Sequence, residues 1–162
     1  MTLSIIPVHG LPEVRPNDDL VGLLLASLAS AREKLVDGDV LVVAQKIVSK
    51  SEGRIVRLAD VVPGKRALEM AEESGEDARQ LEVVLGESKK IVRWERGVLI
   101  VETRHGFVAA NAGVDRSNAG APDTVILLPV DPDASAARLR DEIAKRAHAT
   151  VAVVITDTFG RA

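Results

Sequence analysis

The chain has 162 residues, 46% of them hydrophobic and 28% charged, which is the size of one ordinary domain. It has no cysteine, so disulfides, zinc–thiolate and iron–sulfur sites and thiol nucleophiles are excluded together. Lys plus Arg is 21 and Asp plus Glu 24, a net charge of −3, and the aromatics are only Trp94, Phe107 and Phe159. Bulk attraction to nucleic acid or anionic membrane is therefore not expected, nor is a base-stacking surface.

No apolar run reaches the ~18–20 residues that span a bilayer, and residues 1–10 lack a basic leader region. These features predict a soluble, cytoplasmic protein with no membrane and no nucleic-acid partner. The few Asn, Gln and Met residues lean toward a heat-stable source.

In chain order, Leu3-Ser4-Ile5-Ile6-Pro7-Val8 reads as a short strand that enters a loop at His9-Gly10-Leu11-Pro12. Leu20, Leu24, Leu28, Ala31 and Leu35 recur at helical spacing, with Asp18 or Asp19 as N-cap and Asp37-Gly38 as the stop. Residues 40–44 form a continuous apolar run, as expected of a strand interior to a sheet covered on both faces. A strand over 54–58 follows. Pro63-Gly64 then marks a turn, and residues 65–87 predict two helices broken near Ser74-Gly75, the second with Leu81, Val84 and Leu85 as its stripe. Strands are expected around 91–94, 98–102 and 107–110, turned at Gly97 and His105-Gly106, with another at 125–128 closed by Pro129. Asp131-Pro132-Asp133 offers cap chemistry for a helix through His148, and the last strand is 151–155. The pattern predicts a mixed organisation, closer to α+β than to a doubly wound sheet, in one domain over residues 1–162.

Phosphate-loop, dinucleotide and nucleophile-elbow signatures are missing, and His9, His105 and His148 lack metal-ligand spacing. Asp157 follows a buried strand, where open α/β sheets bind ligands, and with Thr158 it offers a carboxylate and a hydroxyl to a hard cation. A turn Asp bonding its own backbone is the plainer alternative. Asp115 lies in Ala110-Asn111-Ala112-Gly113-Val114-Asp115-Arg116-Ser117-Asn118, rich in small and polar residues, which is equally an ordinary Asx-rich loop. In Gln45-Lys46-Ile47-Val48-Ser49-Lys50-Ser51-Glu52-Gly53 the lysines could neutralise phosphates, with Ser49 donating, or be solvated strand ends. Two carboxylates on separate loops, lysines and glycine loops together point to metal-assisted phosphoryl chemistry.

At these segments the sequence resembles one family. The matching stretches are Gly10-Leu11-Pro12-Glu13, Gly38-Asp39-Val40-Leu41-Val42-Val43 and Val48-Ser49-Lys50-Ser51-Glu52-Gly53-Arg54. Asn111-Ala112-Gly113-Val114-Asp115-Arg116-Ser117-Asn118, Leu127-Leu128-Pro129-Val130-Asp131-Pro132-Asp133 and Ile155-Thr156-Asp157-Thr158-Phe159-Gly160-Arg161 follow in register. They resemble the coenzyme F420:L-glutamate ligases, or F420-0:γ-glutamyl ligases, over essentially the whole chain.

The resemblance implies an α+β fold of largely antiparallel sheets with packed helices, and a GTP-dependent ligase that adds L-glutamate to coenzyme F420-0. The bond is a γ-glutamyl amide, made through an acyl phosphate. It further implies a divalent metal (Mg²⁺ or Mn²⁺), K⁺, and a homodimer. Carried over by motif, Asp115 and Asp157 are the catalytic residues and the ligands of one divalent ion, with Thr158 on a second. Leu11, Pro12, Glu13, Val14, Gln45, Lys46, Lys50 and Asn118 correspond to GTP-contacting positions. Family members often have a hydroxyl residue where Gln45 stands, although an amide can still donate.

Family chains continue beyond Gly160-Arg161. The expectation is therefore a domain incomplete at its C-terminus, with weak or absent ligase activity in this chain alone, and some relatives carry an appended reductase domain. The alternatives are a Mg²⁺-dependent phosphohydrolase and a non-catalytic nucleotide-binding or dimerisation module.

Overall fold

The computed structural model describes residues 3–95, 97–117 and 119–157. The chain is α+β and divides into two compact units, one made from residues 3–53 and 129–157 and the other from residues 54–128. Among the described residues no helix is long and apolar enough to cross a membrane.

The first unit opens with an extended segment. The strand expected at residues 3–8 does not form, and Leu3, Ile5 and Ile6 are exposed, because this run pairs with no other strand among the described residues. Helix α1 (Leu20–Ser30) is capped by Asp19, whose carboxylate accepts from the Gly22 amide at 3.0 Å. The helix stops short of the expected Leu35. Arg32 turns into the left-handed region at φ +59°, and the Glu33 amide closes a six-residue ring on the Leu28 carbonyl. That hydrogen bond satisfies a helix end and diverts the chain.

Strand β1 (Val40–Ala44) runs directly into helix α2 (Gln45–Ser51). Helix α5 (Pro132–Ala147) has Asp131 as N-cap and Pro132 in its first turn, and ends on His148 at φ +53°. Strand β7 (Ala152–Thr156) then pairs parallel with β1, Val40 opposite Ala152 through Ala44 opposite Thr156. Leu20, Val21 and Leu24 of α1, Leu41 and Val43 of β1, Val48 of α2 and Leu139 and Ile143 of α5 share one core.

The expectation that β1 is covered on both faces is corrected. Leu41 and Val43 are buried, but Val40 and Val42 are 59% and 61% exposed. Among the described residues the β1–β7 sheet has two strands, and the core of its unit lies against one face. Hydrophobic composition alone does not reveal how many faces are covered.

The second unit is more local in its pairing. Strand β2 (Ile55–Arg57) pairs antiparallel with β6 (Thr124–Ile126), and β3 (Ser88–Glu95), β4 (Val98–Thr103) and β5 (Val108–Ala110) form an antiparallel meander. Helices α3 (Lys65–Ser74) and α4 (Ala78–Gly86) break where expected, at Gly75 with φ +76°. Asp77 caps α4 by accepting from the Arg79 amide at 2.9 Å. Ala67 and Met70 of α3 and Leu81 and Val84 of α4 pack with Leu99, Val101 and Val125 of the sheets.

Candidate functional site

In the first unit the parallel pairing sets the positions. Ala44 and Thr156 are opposite each other, so Gln45 and Asp157, the next residue on each chain, leave the same carboxyl edge of the β1–β7 pair. Ligands of parallel α/β arrangements collect at that edge, because the loops that leave it converge there. Residues 45–51, read above as a strand exit, are helical instead, which puts Gln45 and Ser49 on one face four residues apart. Gln45 Nε2 donates to Ser49 Oγ at 2.5 Å, and both side chains are buried. The Ser49 hydroxyl is fully enclosed, whereas Lys46 is half-buried and Asp157 exposed.

Lys50 is the most telling residue of this helix. It is only 5% exposed, and its Nζ donates to Glu13 Oε1 at 2.5 Å. A buried ammonium requires such a counter-charge, since an isolated charge in the interior is very costly. The pair ties α2 to the loop of residues 10–14. Gly10 takes φ +77° there, Leu11 and Val14 pack into the core, and Pro12 and Glu13 are left outward. Farther along, the Asn17 amide donates to the Ser51 carbonyl at 2.8 Å. Leu11, Pro12, Glu13, Val14, Gln45, Lys46, Lys50 and Asp157 thus all belong to the first unit.

Two residues missed by the sequence reading, Ser135 and Arg138, brace the other end of α2 through Glu52. Glu52 Oε1 lies 2.5 Å from Ser135 Oγ and 2.5 Å from an Arg138 guanidinium nitrogen, joining α2 to the first turns of α5. The spacing of Ser135 and Arg138 on one helical face was legible, but nothing in the sequence tied them to Glu52.

Asp115 belongs to the second unit. Its backbone bridges Ile126 in both directions, at 3.0 and 2.8 Å, which fixes it beside β6. Its carboxylate accepts from the Ser117 amide at 2.7 Å and from the Ser117 hydroxyl at 2.9 Å. Just before it, Asn111, Ala112 and Gly113 take φ of +50°, +54° and +71° in succession. A left-handed alanine is unfavourable by about 1–2 kcal/mol, so surrounding structure must hold it. Ala112 is buried, and a Cβ on Gly113 would come within 3.0 Å of the Leu128 side chain.

On the far side of this loop the Arg79 guanidinium forks onto two carboxylates. It meets Asp77 at 3.0 and 2.7 Å and Asp123 at 2.9 and 3.3 Å, while Arg116 lies 3.5 Å from Asp123. The hydrogen bond from Arg79 holds the Asp77 carboxyl below the usual carboxylate range. The sequence reading named neither Asp77 as the cap of α4 nor Asp123 as the second partner of Arg79.

Asn118 and Thr158, assigned above to nucleotide and metal, lie outside the described residues. Among the described residues, no group of three or more His, Cys, Asp or Glu side chains is arranged to hold a metal ion. The donors assigned by resemblance, two carboxylates and a hydroxyl, are all hard oxygens. That set suits Mg²⁺ or Mn²⁺ rather than a thiophilic metal.

The family model of F420-0:gamma-glutamyl ligase matches residues 10–162. The chain is 42% identical over 161 residues to the coenzyme F420:L-glutamate ligase of Methanothermobacter thermautotrophicus, covering 99% of this chain and 64% of that protein. It is 46% identical over 160 residues to the Methanopyrus kandleri protein of the same name, covering 99% of this chain and 61% of the relative. With the Archaeoglobus fulgidus protein of that name the identity is 42% over 161 residues, 99% of this chain and 62% of the relative. The chain therefore spans somewhat less than two-thirds of the length of these relatives. It belongs to the F420-0:gamma-glutamyl ligase family.

Proposed function

We propose that this chain carries the nucleotide- and metal-binding part of a GTP-dependent ligase that joins L-glutamate to coenzyme F420-0. The observation that supports this reading best is the carboxyl edge of the β1–β7 pair. There Asp157 leaves one strand, while Gln45 leaves the other and begins the helix that bears Lys46 and Lys50. A hard-cation ligand and cationic side chains on adjoining chain exits suit a nucleoside triphosphate.

The chemistry follows from the poor reactivity of a carboxylate. A carboxylate oxygen of the coenzyme attacks the terminal phosphorus of GTP, and GDP leaves with the electrons of the broken P–O bond. The resulting acyl phosphate has a good leaving group. The glutamate amine attacks its carbonyl carbon, phosphate departs, and the nitrogen gives up a proton as the γ-glutamyl amide forms. Phosphoryl transfer depends chiefly on positioning and charge neutralisation. A divalent ion, Mg²⁺ or Mn²⁺, supplies that neutralisation when bound, and K⁺ is a monovalent companion.

Lys50 and Lys46 meet phosphate oxygens in this reading, and the loop from Leu11 through Val14, Gln45 and Asn118 hold the nucleotide. Asp115, Asp157 and Thr158 hold the cations. A phosphate that reaches Lys50 shares it with Glu13 or displaces that carboxylate. The working assembly is a homodimer.

Calorimetric titration of GTP into the chain, with and without Mn²⁺, tests this. Metal-dependent binding that favours GTP over ATP, and is lost in Asp115→Ala and in Asp157→Ala, is the expected result. A folded sample that ignores GTP under both conditions sinks the assignment of a nucleotide site to these residues. GTP hydrolysis that needs neither coenzyme nor glutamate would make the protein a phosphohydrolase instead.

A further inference from the structure

The loop that carries Asp115 is held from both sides. Before it stand three consecutive left-handed residues at 111–113, and after it Asp123, itself at φ +60°, ends the excursion just ahead of β6. The Thr124 hydroxyl reaches back to the Ala121 carbonyl at 2.6 Å, and the Asp123 carbonyl accepts from the Leu58 amide at 2.8 Å. The backbone ends are therefore pinned, and the Asp123 side chain joins the loop to α4 through Arg79. Arg79 is oriented in turn by its fork onto Asp77, the cap of α4.

We propose that Arg79 is a positioning residue for the cation site, a clasp that keeps the Asp115 loop in its binding conformation by gripping Asp123. This role rests on the reading above that Asp115 is a metal ligand. An isolated exposed ion pair is worth little, but a planar guanidinium bidentate to two carboxylates fixes geometry as well as charge. Ser117, whose amide and hydroxyl hold the Asp115 carboxylate, belongs to that loop, so gripping the loop saves ordering of the carboxylate when a cation binds, and that saving appears as affinity. Groups that orient metal ligands commonly carry 10–100-fold in affinity; Arg79 acts on Asp115 through Asp123, which places it at about tenfold.

The experiment is Mn²⁺ uptake by the 162-residue chain, read by the electron paramagnetic resonance signal of free Mn²⁺, with melting curves on the same samples. Arg79→Gln is expected to weaken Mn²⁺ binding about tenfold, and Arg79→Lys to recover part of the loss by restoring the charge without the fork. Glu82→Gln is the structural control. It weakens the carboxylate that accepts from the Gly64 amide, one turn along α4 from Arg79, and leaves the Arg79–Asp123 pair itself unaltered. A purely structural role for Arg79 would let Glu82→Gln, at a matched loss of melting temperature, weaken Mn²⁺ equally, and that outcome overturns the proposal.

Unchanged binding in Arg79→Gln, with binding abolished in Asp115→Ala, would also overturn the clasp while leaving the metal reading intact. Asp115→Ala binding like the parent, or a parent chain that takes up no Mn²⁺, removes the metal reading and the clasp with it. Should Arg79→Gln fail to fold, Asp123→Asn serves instead. It keeps the side-chain shape and removes the charge that Arg79 grips, and the same tenfold loss is expected.

Discussion

The two units solve the problem of presenting a reactive side chain in opposite ways. In the first, strands far apart in sequence, Val40–Ala44 and Ala152–Thr156, are laid parallel, and their shared carboxyl edge brings Gln45 and Asp157 side by side. In the second, a continuous run of chain folds on itself through antiparallel turns. Asp115 is placed by local means there: a left-handed turn before it, a Ser117 bond and a clasped loop after it. The first arrangement depends on a long-range crossover, which parallel strands always require. The second depends on short-range geometry, including the conformational strain at Ala112.

The sharpest way to test that contrast is to empty each core in turn. Ile143→Ala in the first unit and Leu99→Ala in the second each remove a side chain with no solvent exposure, and each is expected to cost about 2–5 kcal/mol. Native-state hydrogen exchange shows where the loss falls. Leu99→Ala should speed exchange in β3–β5 while β1 and β7 keep their protection, and Ile143→Ala should do the reverse. Loss of protection throughout the chain in both variants would mean that the units do not open separately.

A smaller effect separates structure from function at α2. Lys50→Met replaces a buried charge by an apolar side chain of similar length, and because Glu13 is largely exposed and stays solvated without its partner, the change in fold stability is expected to be small. GTP affinity should nevertheless fall about tenfold, or about 1.4 kcal/mol, as read by calorimetry beside a thermal melt. A large drop in melting temperature with GTP binding intact would make Lys50 a structural residue.

The smallest effect is in acid. One aspartate in each unit is held below the ordinary carboxylate range by an arginine, Asp19 by Arg146 and Asp77 by Arg79. A depressed carboxyl stabilises the fold above its unfolded value near 3.8 and loses that contribution as pH falls through its folded value. Both groups lie near the surface, so solvent screening keeps the effect modest. Urea midpoints should decline below about pH 3.8. The slope should lessen in Asp19→Asn and in Asp77→Asn, variants that retain a capping side chain. An unchanged slope in either variant would show that its ion pair adds nothing in solution.

Much of the local structure was legible. Capping aspartates, glycine stops and the helical recurrence of Leu20, Leu24 and Leu28 located the helices, and turn residues located the meander, because these signals act within a few residues of themselves. The errors lie where local chemistry was insufficient. The apolar run at residues 3–8 found no strand partner, the left-handed Arg32 shortened α1, and the residues after β1 became helix rather than a strand exit. The candidate positions were legible mainly through motifs, and their partners were not. Nothing near Lys50 named Glu13 as its counter-charge, and nothing near Arg79 named Asp123.

The sequence by itself determined most of the element types, the α+β class and the ligase family, since periodicity, caps and motif order are properties of neighbouring residues. Tertiary structure alone decided that β1 lies beside β7, that Gln45 and Asp157 share an edge, that Lys50 is buried against Glu13, and that Arg79 grips the loop of Asp115. Those outcomes depend on which distant segments bury one another and which charges must then be paired, and neither is fixed until the chain has closed on itself.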